Sequence, residues 1–262
     1  MSAGTALVTG ASSGIGLAIA RSLATRGFDL VLVARREDRL QALAHELSAA
    51  ASITVTVVAA DLATPEGTDV VVEAVGDREI DVVVNNAGAG WIGLFHQAPA
   101  ARQLEIVDIN CRALVALTRA FLPGMIARGR GHVVQIASVG GFMPGPRAAT
   151  YYASKAFVVS HSEALRHELE DTGVAITLVC PGPVATEFQR SSGVKGTMGG
   201  AAAMSDVDVA EASVEGMLQR RFLVVPGAPN RLLIALTRVL PRRLAAALVD
   251  RLQKKRLAAE PQ

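Results

Sequence analysis

Tyr151 and Lys155 lie four residues apart in a segment of helical period, so their side chains share one face. An ammonium beside a phenol favours the phenolate and lowers its pKa toward neutral pH, as a general acid–base group requires. Tyr152 does not share that four-residue pairing. Ser138 closes an apolar run earlier in the chain, where its hydroxyl could hold a carbonyl oxygen beside Tyr151. The set suits interconversion of a carbonyl and an alcohol, with hydride passing to or from carbon and the proton to or from Tyr151. By itself a Tyr-x-x-x-Lys pair reads better as a surface pair on an amphipathic helix, so the weight falls on its surroundings. A Ser–His–acid hydrolase would need a histidine beside a strand-end nucleophile. His45, His96, His132, His161 and His167 are scattered and read as surface or packing residues.

A hydride needs a carrier. The first apolar run leads into Thr9-Gly10-Ala11-Ser12-Ser13-Gly14-Ile15-Gly16, and a helical pattern follows at once. Glycines there let the backbone turn sharply against a pyrophosphate, and the helix N-terminus offers free N–H groups and positive dipole. Gly10, Ser12, Ser13, Gly14, Ile15 and Gly16 are therefore the expected dinucleotide cradle. NAD(H) sites place a carboxylate at the end of the second strand for the ribose 2′-hydroxyl. Here that position reads Ala34-Arg35-Arg36. Two guanidinium groups suit a 2′-phosphate, so NADP(H) is preferred over NAD(H). The competing reading is that the arginines open a solvated helix and pair with Glu37 and Asp38. Asp61 and Leu62 follow the third run, where Asp61 could accept from the adenine amino group. Asn86, Ala87 and Gly88 follow the fourth, also at the ligand edge.

These residues need elements to hold them. Short β-branched runs at Thr5–Thr9, Asp29–Ala34, Ile53–Ala59, Asp81–Asn85, His132–Ala137, Val174–Cys180 and Phe222–Val225 alternate with helical patterns near 14–26, 36–50, 65–75, 100–127, 151–172 and 206–219. Apolar strands of this kind are buried on both faces. The expected fold is α/β, a doubly wound, Rossmann-like parallel sheet of about seven strands. The expected division is one catalytic domain over 1–229 and a helical, basic extension over 230–262. Half of the 262 residues are apolar, which suffices for one core, and the net charge of +2 offers no field for nucleic acid. Cys111 and Cys180 have no ligand-like neighbours, so neither a metal site nor a disulfide is expected, and a reducing, cytoplasmic setting is. No signal-peptide pattern opens the chain.

Together these motifs resemble the short-chain dehydrogenase/reductase superfamily, over about residues 5–227. Thr9–Gly16 is similar to its TGxxxGxG turn, Asn85–Gly88 to its NNAG and Tyr151–Lys155 to its YxxxK. Ser138 stands where the family's catalytic serine stands, and Asn110 matches the family's fourth catalytic residue. The resemblance implies that Lys155, with Tyr151, also binds the cofactor ribose and that Asn110 holds a water in a proton relay. It implies that Pro181, Gly182, Val184 and Thr186 hold the nicotinamide carboxamide. One departure is Ser13, where many NADP-dependent relatives carry a basic residue, so the phosphate preference rests on Arg35 and Arg36. The resemblance further implies a homodimer or homotetramer built on the helices near 100–127 and 151–172.

The substrate is less determined. Trp91, Phe142 and Phe188, with Ile92, Leu94, Phe95 and Met143, are candidate pocket walls, and they favour an apolar or amphipathic carbonyl compound. Residues 191–204 read as a Gly-rich mobile loop that would order over substrate. From Arg231 to Arg256 leucines alternate with basic residues, and Pro241 should split the stretch into two helices. Such helices could lie peripherally on an anionic membrane. They could instead cover the pocket or meet a second subunit, and packing is the preferred reading. The alternative to an enzyme is a nucleotide-binding scaffold or sensor with little turnover, against which the intact Asn110, Ser138, Tyr151 and Lys155 argue.

Overall fold

The structure is a computed structural model that describes residues 3–184, 186–188 and 204–258. The segment 191–204 expected to act as a mobile loop lies outside the described residues, except for Met204.

Seven parallel strands form one sheet in the order β3-β2-β1-β4-β5-β6-β7. They are β1 (Thr5–Thr9), β2 (Asp29–Ala34), β3 (Val55–Ala59), β4 (Val82–Asn85), β5 (Gly131–Ile136), β6 (Val174–Val179) and β7 (Leu223–Val224). Each is an apolar, mostly β-branched run, as burial on both faces demands. The helices are α1 (Gly14–Ala24), α2 (Glu37–Ala50), α3 (Pro65–Val75), α4 (Ala100–Val107), α5 (Leu114–Ala127), α6 (Ala149–Glu168), α7 (Asp206–Leu218), α8 (Ala228–Thr237) and α9 (Arg242–Ala258). One face of the sheet packs Ile19 and Leu23 of α1, Leu40 and Leu43 of α2 and Val214 and Met217 of α7. The other packs Val71 of α3, Leu117 and Met125 of α5 and Leu165 of α6. The result is the doubly wound α/β sheet expected from the pattern.

The chain reverses its winding between β1 and β4. Crossovers leave in opposite directions there, so a crevice opens beyond the carboxyl ends of the strands. Every motif named above except Asn110 sits on that edge or one turn beyond it.

Three local features matter. The helix expected over 100–127 is interrupted by a π turn, Asp108–Ala113, joining α4 to α5. Such turns widen a helix by one residue and re-aim a side chain; here that side chain is Asn110. The helix expected from 151 starts at Ala149, because Tyr152 N already donates to Ala148 O at 3.0 Å. Tyr151 therefore stands in its first turn. Pro241 separates α8 from α9 as expected, and its carbonyl accepts from Leu244 N and Ala245 N to start α9.

Candidate active site

The glycine turn is built for close backbone approach. Gly10 has φ +68°, and a Cβ there would stand 2.8 Å from Asn86 Nδ2. A Cβ on Gly16 would collide with the same amide and with Gly10 O, so the helix start packs directly on the turn. Ser13 is the N-cap of α1, yet its side chain makes no capping hydrogen bond. The first amides of α1 are thereby left for an anion. Thr9 fastens this turn to the next one: its Oγ1 donates to Val84 O at 3.1 Å and accepts from Asn86 N at 2.9 Å and Ala87 N at 3.0 Å. Asn86 Nδ2 returns a bond to Thr9 O at 2.8 Å. A pyrophosphate-bearing dinucleotide fits this cradle.

At the end of β2 the two arginines part company. Arg36 reaches over the glycine turn, donating to Ser12 Oγ at 3.1 Å and Ser13 Oγ at 2.9 Å, and to Glu187 Oε2 at 2.9 Å. Arg35 lines the same cavity but is more open to solvent, its side chain 60 % exposed with Glu105 Oε1 at 3.4 Å. Arg39, one turn along α2, joins Arg36 on Glu187 at 2.9 and 3.0 Å. These guanidiniums hold the Glu187 carboxyl below its ordinary range. Neither arginine pairs with Glu37 or Asp38 in the described ion pairs. Asp61 lines the same cavity, with Oδ1 accepting from Ala63 N at 3.0 Å.

Beyond the nucleotide end the cavity, about 1370 Å³, continues past Ser138, Tyr151 and Lys155. Ser138 follows β5 and caps a short 3-10 turn, its Oγ accepting from Gly140 N at 3.1 Å. That leaves its hydroxyl proton to act on the neighbouring Tyr151 phenol, whose ionised form it favours. Burial pushes Tyr151 up to about 12; the Ser138 bond pulls down against it and Tyr152 adds to the rise. The lowered tyrosine pKa expected from helical spacing is therefore not what the chain's own groups produce. The reason is visible at Lys155. Its Nζ is buried and donates to Ile136 O at 2.8 Å, at the end of β5. Burial brings this amine down to about 8, with the Cys111 and Cys180 thiols acting in the opposite sense.

Asn110 is 1 % exposed and lies behind the cavity rather than in its wall. Its amide clasps one peptide group, accepting from Ala89 N at 2.8 Å and donating to Ala89 O at 3.0 Å, and also donates to Ser154 Oγ at 2.8 Å. It thus ties the turn after β4 to α6, and its Oδ1 and Lys155 Nζ both face Gly88. Gly10, Ser12, Ser13, Gly14, Ile15, Leu62, Asn86, Ala87 and Gly88 line the cavity, as do Pro181, Gly182, Val184 and Thr186. Gly16 lies beneath it.

The expected substrate wall needs correction. Trp91, Ile92, Met143 and Phe188 do line the cavity, and Phe188 lies against Tyr151 with ring centroids 5.6 Å apart. Phe142 does not: it packs on the Leu114–Val158 cluster beneath the 3-10 turn. Leu94 and Phe95 point outward and are exposed. Their places are taken by the C-terminal helices. Leu233 and Leu236 of α8 and Ala245, Leu248, Val249 and Leu252 of α9 complete the wall. Arg147, at φ +66°, pins α9 through Asp250 Oδ1 at 2.8 Å. Of the readings weighed for this extension, packing over the pocket is the arrangement seen.

A phosphate cradle at the sheet's switch point, with a phenol and a serine hydroxyl in the same cavity, defines a class, the Rossmann-type oxidoreductases. Comparison narrows it: the chain matches the model for short chain dehydrogenase over residues 4–195 and belongs to that family. It is 35 % identical over 232 residues to a 1-deoxy-11-beta-hydroxypentalenate dehydrogenase of Streptomyces exfoliatus, covering 87 % of this chain and 84 % of that one. Among solved structures it resembles a short-chain dehydrogenase from Sphingobium yanoikuyae in complex with NADPH, with TM-score 0.81 and 31 % identity over 98 % of this chain and 96 % of that one. It also resembles a Burkholderia phymatum short chain dehydrogenase/reductase in complex with NAD, with TM-score 0.80 and 26 % identity, covering 90 % and 92 % of the two chains.

Proposed function

We propose that this oxidoreductase uses NADP(H) to interconvert a carbonyl and an alcohol on a bulky, apolar substrate. The observation that carries the cofactor choice is the cluster of Arg36, Arg39, Ser12 and Ser13 beside the glycine turn, which presents guanidinium and hydroxyl groups where a 2′-phosphate would lie. The NADPH-bound Sphingobium relative supports the same choice. The nicotinamide, when bound, supplies or accepts the hydride. Everything else falls to the chain. Tyr151 stays protonated near neutral pH, so it is poised to give its proton to the substrate oxygen during reduction. Ser138 orients that oxygen beside it. Lys155, through Ile136 O, ties α6 to the end of β5, and Asn110, holding the Ala89 peptide and Ser154 Oγ, keeps the turn after β4 in register with α6.

The substrate reading rests on the wall formed by α8 and α9, where leucines, Ala245 and Val249 meet Trp91, Met143 and Phe188. This wall is mainly apolar, with Arg251, Lys254 and Lys255 of α9 also on the cavity lining, and suits a bulky apolar or amphipathic group. Exposed Leu104 and Val107 on α4, Val115 on α5 and Phe157 on α6 form an apolar outer face, which supports assembly of two or four copies through these helices. The test is a panel of ketones and aldehydes, graded in size and charge, against NADPH and NADH oxidation. Turnover of bulky apolar ketones with NADPH is expected. Failure of the whole panel with either cofactor would turn the reading toward a nucleotide-binding scaffold.

A further inference from the structure

Glu187 is held in an unusual way for a half-exposed surface acid. Both of its oxygens are bound: Oε2 by Arg36 Nη1 at 2.9 Å, and Oε1 and Oε2 by Arg39 Nη1 at 3.0 and 2.9 Å. Arg36 simultaneously donates to Ser12 Oγ and Ser13 Oγ. Two guanidiniums and two serine hydroxyls converging beside a glycine turn are the donors that a phosphate monoester takes. Glu187 reaches them from far along the chain, because Thr186 lies over the glycine turn: a Cβ on Gly14 would stand 3.0 Å from Thr186 Cγ2. The next residue, Phe188, rests against the Tyr151 ring.

We infer that Glu187 is a tethered surrogate for the cofactor's 2′-phosphate, and that a 2′-phosphorylated cofactor must displace it from Arg36 and Arg39 to bind. This rests on the NADP(H) reading above. Two anions cannot share the same pair of guanidiniums without one giving way, so part of the phosphate's binding energy goes into releasing the carboxylate. A cofactor with a plain 2′-hydroxyl leaves the carboxylate in place. Glu187 therefore sets how strongly the site discriminates between the two cofactors. Because Phe188 is its chain neighbour, the displacement also loosens the contact over Tyr151.

The test uses the full-length protein and three probes, NADPH, NADH and adenosine 2′,5′-bisphosphate, titrated by fluorescence or calorimetry at fixed ionic strength. In Glu187→Gln the preference, Kd for NADH over Kd for NADPH, is expected to rise about twofold to fivefold, the range set by half-exposed ion pairs. Adenosine 2′,5′-bisphosphate should tighten in parallel. Glu105→Gln removes an equal charge from the neighbouring Arg35 and Arg102, and is expected to move the ratio less than about twofold if the effect is displacement rather than general field. Hydrogen exchange across residues 186–188 should quicken in the wild type when the bisphosphate, which carries no nicotinamide, is added. An unchanged or lower preference in Glu187→Gln, an equal response in Glu105→Gln, or unaltered exchange would overturn the inference. A wild type that neither prefers NADPH nor binds the bisphosphate would overturn the NADP(H) reading itself, and this inference with it.

Discussion

Arg36 and Arg35 line one cavity but are engaged differently, and that difference yields a quantitative prediction. In Arg36→Ala the guanidinium that bridges Ser12, Ser13 and Glu187 is lost. A hydrogen bond to a charged partner contributes about 1.5–3 kcal/mol. Arg36 is 41 % exposed, so solvent screening places it at the low end, about 1.5 kcal/mol, or roughly tenfold. The substitution also loosens Ser12 and Ser13 and so weakens the turn, but that part falls on both cofactors alike and cancels in their ratio. The quantity to measure is therefore kcat/KM with NADPH divided by kcat/KM with NADH, which should fall about tenfold. Arg35→Ala, which removes a more exposed guanidinium that contacts Glu105 at 3.4 Å, should change the ratio less than about threefold. Equal effects of the two substitutions, or no effect of Arg36→Ala, would refute the assignment of the phosphate site.

Tyr151→Phe is expected to lower turnover at least about 10⁴-fold while NADPH binding stays within about twofold, because Tyr152 lies edge-on with its centroid 6.0 Å away and Ser138 cannot replace the acid; single-turnover absorbance and cofactor titration would check it, and loss of less than tenfold would point to Tyr152 instead. His132, buried on β5 with its Nε2 at 2.8 Å from Thr177 Oγ1, is brought by burial from 6.5 down to about 4. Between those values the unfolded chain binds the proton that the folded chain refuses, so stability drops as pH falls from about 6.5 toward 4, by about 3 kcal/mol at most; urea titrations of the wild type and His132→Gln should show that slope reduced in the variant. Arg147→Ala removes the tie to Asp250 that holds α9 on the cavity, and should raise KM for an apolar ketone about twofold to fivefold with NADPH affinity unchanged; a matching loss of cofactor affinity would contradict the division of the cavity.

The sheet was legible because its strands are short β-branched runs that allow no helical reading, and because Gly10 to Gly16 fixes where the first one ends. Tyr151, Lys155 and Ser138 were legible from spacing, since helix and strand-end geometry project them to one edge. Their electrostatics were not. Spacing shows that Lys155 shares a face with Tyr151, but only packing shows that its ammonium is engaged by Ile136 O and buried. Arg39 left a signal that could have been used, as it stands three residues after Arg36 on the same helix face. Glu187 left none: its partners are 151 and 148 residues distant, across a connection that no periodicity spans. Phe142 was misread because aromatic type says nothing of which side of a 3-10 turn it takes. The leucines of α8 and α9 fitted a membrane face as well as a pocket wall, since both bury one apolar stripe and leave basic residues in water.

The wall formed by α9 separates two kinds of selectivity. On the proposed reading, cofactor choice falls to Ser12, Ser13, Arg36, Arg39 and Glu187, whereas the other end of the cavity is shaped by a helix fastened through Arg147 and Asp250. Among the described residues the hydrogen bonds of the two groups go to separate partners, so substitutions in one should add to those in the other in free energy. A descendant of this chain can therefore acquire a new substrate by redrawing α8 and α9 while its cofactor preference carries over unchanged. The route by which the two ends still communicate is short, from Glu187 to its neighbour Phe188 and on to Tyr151. Selection for a different cofactor would leave its first trace there, at the acid and the ring beside it, before any change in the outer wall.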